Sequence, residues 1–133
     1  MIDSLDRSKA EMNFHAIWFN MLSMTMEEFR HSLRGEQPPA HISLSLAGLW
    51  WDAKGDWNRA HESAQQDEGL AGSWVHAYLH RKEGDSSNAG YWYRRAEKAP
   101  ARCSLEQEWL EITESLLIQA GSDAKNRAPR ARG

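Results

Sequence analysis

The sequence has few of the features that mark secreted or membrane-spanning proteins. Its 133 residues include a single cysteine, Cys103, so no disulfide can form within the chain. One unpaired cysteine is typical of a reducing compartment, and we expect a cytoplasmic protein. No apolar run approaches the roughly 20 residues that a membrane-spanning helix needs, and we expect neither a signal peptide nor a membrane partner.

The common sequence signals of catalysis are also missing. The chain has no glycine-rich phosphate loop, no Cys-x-x-Cys pair and no nucleophile elbow, so we assign no catalytic residue. The net charge is −3, and the segment 121–133 carries four cations against one acid, which leaves an acidic body. An acidic body argues against a nucleic-acid partner.

The most informative positive feature is a phrase that occurs twice, 29 residues apart. Lys54-Gly55-Asp56-Trp57-Asn58-Arg59-Ala60 recurs as Glu83-Gly84-Asp85-Ser86-Ser87-Asn88-Ala89. In each copy an apolar, tryptophan-containing segment precedes the Gly-Asp pair, and the aspartate is placed to cap a following helix. Two such copies indicate two stacked helical hairpins, because one hairpin cannot bury its apolar face alone. We therefore predict an all-α fold.

Capping and breaking signals divide the chain into helices. A capping box at Thr25 and Glu28 opens the first, Ser73 is taken as the cap of a later one, and Ser104 with Gln107 opens the last. The predicted helices cover 25–34, 41 or 42–53, 57–66, 73–82, 86 or 87–98 and 104–120. The predicted organisation is a poorly defined extension (1–24), a helical-repeat domain (25–120) and a disordered basic tail (121–133).

The register of the two copies resembles the tetratricopeptide (TPR) family. That family places small residues and a turn glycine at fixed intervals, which are matched here by Gly48, Gly55 and Ala60 and again by Ala77, Gly84, Ala89 and Ala96, with Tyr93 at an aromatic position. The repeat differs from the usual period of about 34 residues. The segment 76–95 is also similar to one found in small bacterial proteins of uncharacterised function.

The TPR resemblance implies a non-enzymatic adaptor that binds a protein or peptide on the concave face formed by the first helix of each hairpin. We call the four residues expected on that face the predicted groove: Trp74, Tyr78, Arg81 and Lys82. Two aromatic rings beside two cations suit an acidic segment or a C-terminal carboxylate. A homodimer that hides exposed tryptophans is a further interpretation.

Histidines supply an alternative of a different class. His76 and His80 are four residues apart on one predicted helix, so both imidazoles point the same way, and His61 is expected on the neighbouring helix. With Glu83 nearby, this set suits a divalent metal such as zinc, in a small metal-binding protein or enzyme. The structural interpretation is a buried network of neutral histidines with Glu83 or Asp85 and with Arg94 or Arg95.

Overall fold

The computed structural model describes residues 24–127, and this part of the chain consists of six α-helices without a β-strand. The all-α prediction is confirmed. Residues 1–23 of the predicted extension and residues 128–133 of the predicted tail lie outside the described residues. The helices are α1 (Met26–Ser32), α2 (Leu44–Ala53), α3 (Trp57–Gln66), α4 (Leu70–Lys82), α5 (Ser86–Arg95) and α6 (Leu105–Arg127).

The repeated Gly-Asp phrase builds the same turn twice, between α2 and α3 and between α4 and α5. Gly55 and Gly84 adopt φ angles of +82° and +87°, a left-handed conformation that side chains disfavour. Asp56 then accepts a hydrogen bond from the Arg59 N–H, and Asp85 accepts one from the Asn88 N–H. Both predicted aspartate caps are confirmed.

Small residues at equivalent positions let the two helices of each hairpin approach closely. Ala60 and Ala77 are fully buried, and Ala89 is nearly so. A Cβ at Gly48 would lie only 3.2 Å from the carbonyl oxygen of Ala60. The small residues of the repeated pattern therefore lie where the helices pack against each other.

The last helix lies against the first helices of both hairpins. α6 packs on α2 and α4 and also touches α1. The indole N–H of Trp109 donates to the carbonyl of Leu49 at 3.0 Å, and Ile112 is fully buried in the core. Because α2 and α4 form the face on which the predicted groove was placed, α6 occupies much of that face.

Besides shifts of two or three residues at the end of α1 (Ser32) and the start of α2 (Leu44), three helix boundaries differ from the prediction. α4 begins at Leu70 with Gly69 as its N-cap, and Ser73 lies buried inside the helix, because the Asp67 side chain accepts the Gly69 N–H and closes the turn early. α5 ends at Arg95, before the left-handed Glu97.

The third difference lies at the start of the predicted tail. α6 continues seven residues past Ala120, because Gly121 and Ala124 keep a buried helical stripe. Within residues 24–127, no helix combines the length and apolar character required to cross a membrane.

Candidate functional site

Two residues of the predicted groove are held in contacts within the chain. Tyr78 is only 2% exposed, and its hydroxyl donates to Asp52 Oδ2 at 2.9 Å. The Lys82 ammonium donates to Asp52 Oδ1, also at 2.9 Å. Burial, followed by the Asp52 carboxylate, raises the pKa of Tyr78, so the phenol stays protonated as a donor. These two side chains satisfy a buried carboxylate.

Arg81 of α4 has a similar structural role, because it contacts α6. Its guanidinium donates to Glu108 Oε1 at 2.8 Å and also to the carbonyl of Cys103. Glu108 is 2% exposed, and its second oxygen accepts the hydroxyl of Tyr93 at 2.5 Å. The hydrogen bond to Glu108 is the main reason that the pKa of Arg81 is raised. A carboxylate this deeply buried needs such a partner, because an unpaired buried charge is strongly destabilising.

Trp74 faces a different part of the molecule from Tyr78 and Lys82. Its half-buried ring lies 4.3 Å from the Lys98 ammonium and lines a cavity of about 650 Å³. Tyr78 and Lys82 instead line a separate cleft of about 550 Å³, which we call the Tyr78 cleft; it is bounded by Arg30, Leu33, Asp52, Ala53, Tyr78, Lys82, Leu105, Glu106 and Trp109. The four groove residues therefore do not share one surface.

The three predicted histidines do come together. His61 of α3 and His76 and His80 of α4 each offer a ring nitrogen, and these atoms lie within 4.8 Å of one another. The Nε2 atoms of His61 and His76 are 2.8 Å apart and share a hydrogen bond, in which one donates and the other accepts. We call this set the histidine cluster. Its position between the two hairpins was predicted from the i, i+4 spacing and the repeat register.

Tryptophan rings enclose the cluster on two sides. The His76 ring stacks on Trp92 of α5 with centroids 3.8 Å apart, and the His61 ring stacks on Trp57 with centroids 4.8 Å apart. His76 and His80 are 4% and 6% exposed, whereas His61 and both tryptophans are half-buried. The two histidines of α4 therefore lie in the protein interior, whereas His61 and the two tryptophans lie at an edge that solvent reaches.

Burial keeps His61 and His76 of this cluster uncharged at neutral pH. Desolvation, followed by the neighbouring His61 and His80, lowers the pKa of His76 to about 4. Desolvation, followed by His80, also lowers the pKa of His61. Neutral imidazole is the form that binds metal ions, so neither of these two rings would have to lose a proton charge to bind one.

Glu83 and Asn88 surround the third histidine. The Glu83 Oε1 atom lies 2.7 Å from His80 Nδ1, and the Asn88 amide nitrogen lies 3.4 Å from His80 Nε2. The predicted pairing of the histidines with Glu83 is thereby observed. Arg95, predicted for the same network, instead lies over the rings of Tyr91 and Trp92.

Some residues of the site were not found from the sequence. The stacking of Trp92 on His76 joins α5 to α4, and no local spacing reports it. Trp57 and His61 are four residues apart on α3, so the helical spacing could have predicted that their rings lie side by side. Glu108 was missed because a glutamate in an amphipathic helix is usually exposed, and only the fold shows that this one is buried.

Comparison of the chain with protein-family models, with curated proteins and with solved structures gave no match. The TPR likeness stays a resemblance in the residues themselves.

We expect Arg81→Met to destabilise the protein by about 3 kcal/mol, because it leaves the Glu108 carboxylate without its cation while keeping most of the aliphatic stem. Urea unfolding measures the loss. The double variant Arg81→Met/Glu108→Gln removes the stranded charge and should recover part of it. An unchanged unfolding midpoint in Arg81→Met would show that Arg81 has no structural role and is free to bind a partner.

The metal-free protein should lose stability between pH 7 and pH 5. The unfolded chain protonates His76 near its ordinary pKa of about 6.5, whereas the folded protein resists protonation down to about 4, so acid favours unfolding. His76 alone contributes a loss on the order of 2 kcal/mol over this range. Urea unfolding at several pH values measures it. His76→Gln should flatten the slope, while His41→Gln, at an exposed site, should not; equal slopes in all three proteins would contradict this origin.

Proposed function

We propose that the protein binds one divalent transition-metal ion, with zinc the best fit, through His61, His76 and His80. The observation that carries this proposal is the convergence of three imidazoles from both hairpins, with ring nitrogens within 4.8 Å of one another. Imidazole ligands suit zinc, copper, iron and nickel, and three protein ligands with a free fourth position are typical of zinc sites that bind water or substrate.

The ring nitrogens, which lie within 4.8 Å of one another, must rearrange to reach one metal ion. Zinc–nitrogen bonds of about 2.0–2.1 Å in a tetrahedral site place two ligand nitrogens about 3.3 Å apart. The Nε2 atoms of His61 and His76 are 2.8 Å apart, so they must separate by roughly half an ångström, which a side-chain rotation supplies. His61 is the ligand suited to move, because it lies half-buried at the edge that solvent reaches while His76 is stacked beneath Trp92.

The metal-free protein holds two of the ligands uncharged, and metal binding requires the ring that donates in the His61–His76 hydrogen bond to carry its proton on Nδ1 instead. His76 and His61 have lowered pKa values because of burial, so they are neutral at pH 7. The fourth coordination position is left to water, whose pKa zinc lowers to about 7 when the ion is bound.

We expect the untagged protein to bind zinc at one ion per chain, measured by elemental analysis and by calorimetric titration. Zinc at 100 times its dissociation constant should stabilise the fold by about 2.7 kcal/mol, seen as a rise in melting temperature that a chelator reverses. Cobalt substituted for zinc should give the visible absorption of a tetrahedral site.

His61→Phe is the matched test, because it keeps an aromatic ring on Trp57 and removes a ligand nitrogen. It should weaken zinc binding by about 100-fold or more, because losing a direct ligand costs at least as much as the 10- to 100-fold lost with an outer-shell partner. His41→Phe, at an exposed histidine, should bind as the wild type does. A protein that takes up no zinc and melts at the same temperature with and without it would reduce the histidine cluster to a hydrogen-bonded network.

A second candidate function is the one implied by the TPR resemblance, a cytoplasmic adaptor that binds a peptide. The Tyr78 cleft favours it: about 550 Å³ bounded by α1, α2, α4 and α6, with apolar walls from Leu33, Leu105 and Trp109. Lys82 is 41% exposed on its side chain although it pairs with Asp52, and the exposed Arg30 adds a second cation. This cleft replaces the predicted groove, since Arg81 and Trp74 do not line it.

An acidic hexapeptide with a free C-terminal carboxylate tests the adaptor proposal by fluorescence polarisation. Wild-type protein should bind it, and Arg30→Glu should weaken binding by about tenfold or more, because a cation that contacts the carboxylate becomes an anion. Arg34→Glu, in the turn just after α1 and not lining the cleft, should bind normally. Equal loss in both variants would indicate only a general charge effect.

A further inference from the structure

We infer that Glu83 is the positioning residue of the metal site, which fixes His80 in the tautomer that presents Nε2 to the ion. The inference rests on the proposed metal-binding function. Glu83 was predicted as a metal ligand, and the geometry assigns it this different role.

The hydrogen bond between Glu83 and His80 determines where the imidazole proton lies. Glu83 Oε1 is 2.7 Å from His80 Nδ1, and an ionised carboxylate can only accept a hydrogen bond. His80 Nδ1 must therefore carry the proton. In a neutral imidazole the other nitrogen, Nε2, is then unprotonated and has a lone pair for a metal.

The same contact separates Glu83 from the metal. The two nitrogens of an imidazole point away from each other, so a carboxylate bonded to Nδ1 lies on the opposite side of the ring from an ion on Nε2. Ligating histidines usually donate their second N–H to a carboxylate or a carbonyl, which orients the ring and strengthens the ligand. Glu83 meets that description.

The turn after α4 builds this arrangement. Glu83 is the C-cap residue of α4, one turn beyond His80, and Gly84 ends the helix with a φ of +87°. The Asp85 N–H then donates to the carbonyl of His80 at 2.9 Å, which ties the turn to the histidine backbone. The repeated Gly-Asp turn thus serves the cluster as well as the hairpin. In the first copy the residue equivalent to Glu83 is Lys54, so only the second turn has this carboxylate.

Burial makes the contact effective. His80 is 6% exposed, and its ring is packed near His76, at 4.8 Å between centroids, and Trp57, at 5.9 Å. Packing fixes the position of the His80 ring but does not choose which nitrogen carries the proton, because both tautomers have the same shape. The carboxylate of Glu83 supplies the chemical choice.

The test uses three full-length variants: Glu83→Ala, Glu83→Gln and the control Glu68→Ala, an exposed glutamate in the α3–α4 turn. Long-range proton–nitrogen NMR of the metal-free proteins at pH 8 reports the tautomer of His80, and zinc titration reports the dissociation constant. We expect His80 to be protonated on Nδ1 in the wild type and in Glu68→Ala. Glu83→Ala should give a mixture of tautomers and a zinc dissociation constant 10- to 100-fold higher, at an unchanged melting temperature of the metal-free protein.

Glu83→Gln separates the hydrogen bond from the charge. Its amide oxygen still accepts from Nδ1, so the tautomer should be retained and zinc affinity should fall less than in Glu83→Ala. His80 protonated on Nε2 in the wild type, or zinc binding unchanged in Glu83→Ala, would overturn the role of Glu83 alone. A wild-type protein that binds no zinc would overturn the metal site together with that role, so the two failures are distinguishable.

Discussion

Helix α4 is enclosed by α3, α5, α2 and α6, and this enclosure constrains the polar side chains of His76, Tyr78, His80 and Arg81. A buried polar group without a partner costs free energy, so each must be satisfied by another part of the chain. On one side of α4, His76 and His80 meet α3 and α5. On the other, Tyr78 and Arg81 meet Asp52 of α2 and Glu108 of α6. The two sides satisfy the same requirement with different chemistry.

On the side of α4 that faces α2 and α6, charged groups satisfy the buried polar side chains. The Asp52 and Glu108 carboxylates are each bound by one cation and one phenol, so their hydrogen-bonding capacity is directed into the protein. The Glu108 contacts hold α6 to α4 and α5, and the hydrogen bond from Trp109 to the Leu49 carbonyl holds α6 to α2. A surface that repeat proteins commonly leave open to ligands is here largely closed by the chain's own last helix.

On the side of α4 that faces α3 and α5, uncharged aromatic and imidazole rings satisfy the buried polar side chains. His61 and His76 share one hydrogen bond and stack on tryptophans, and burial keeps both uncharged. Neutral rings of this kind exchange a shared proton for a metal ion by changing tautomer, whereas a carboxylate already bound by a cation and a phenol is occupied. This difference favours the proposed metal site between the hairpins over a site on the α6 face.

The sequence by itself determined the elements that depend on local interactions. The all-α fold, the two Gly-Asp turns with their aspartate caps, and the meeting of His76 with His80 follow from contacts within a few residues. Tertiary structure alone decided the path of α6, the burial of Glu108, and the stacking of Trp92 on His76. These depend on which faces of separate helices pack together, a choice among surfaces of similar hydrophobicity that no local pattern records. The same reason explains why the predicted groove separated into two clefts while the histidine cluster stayed together.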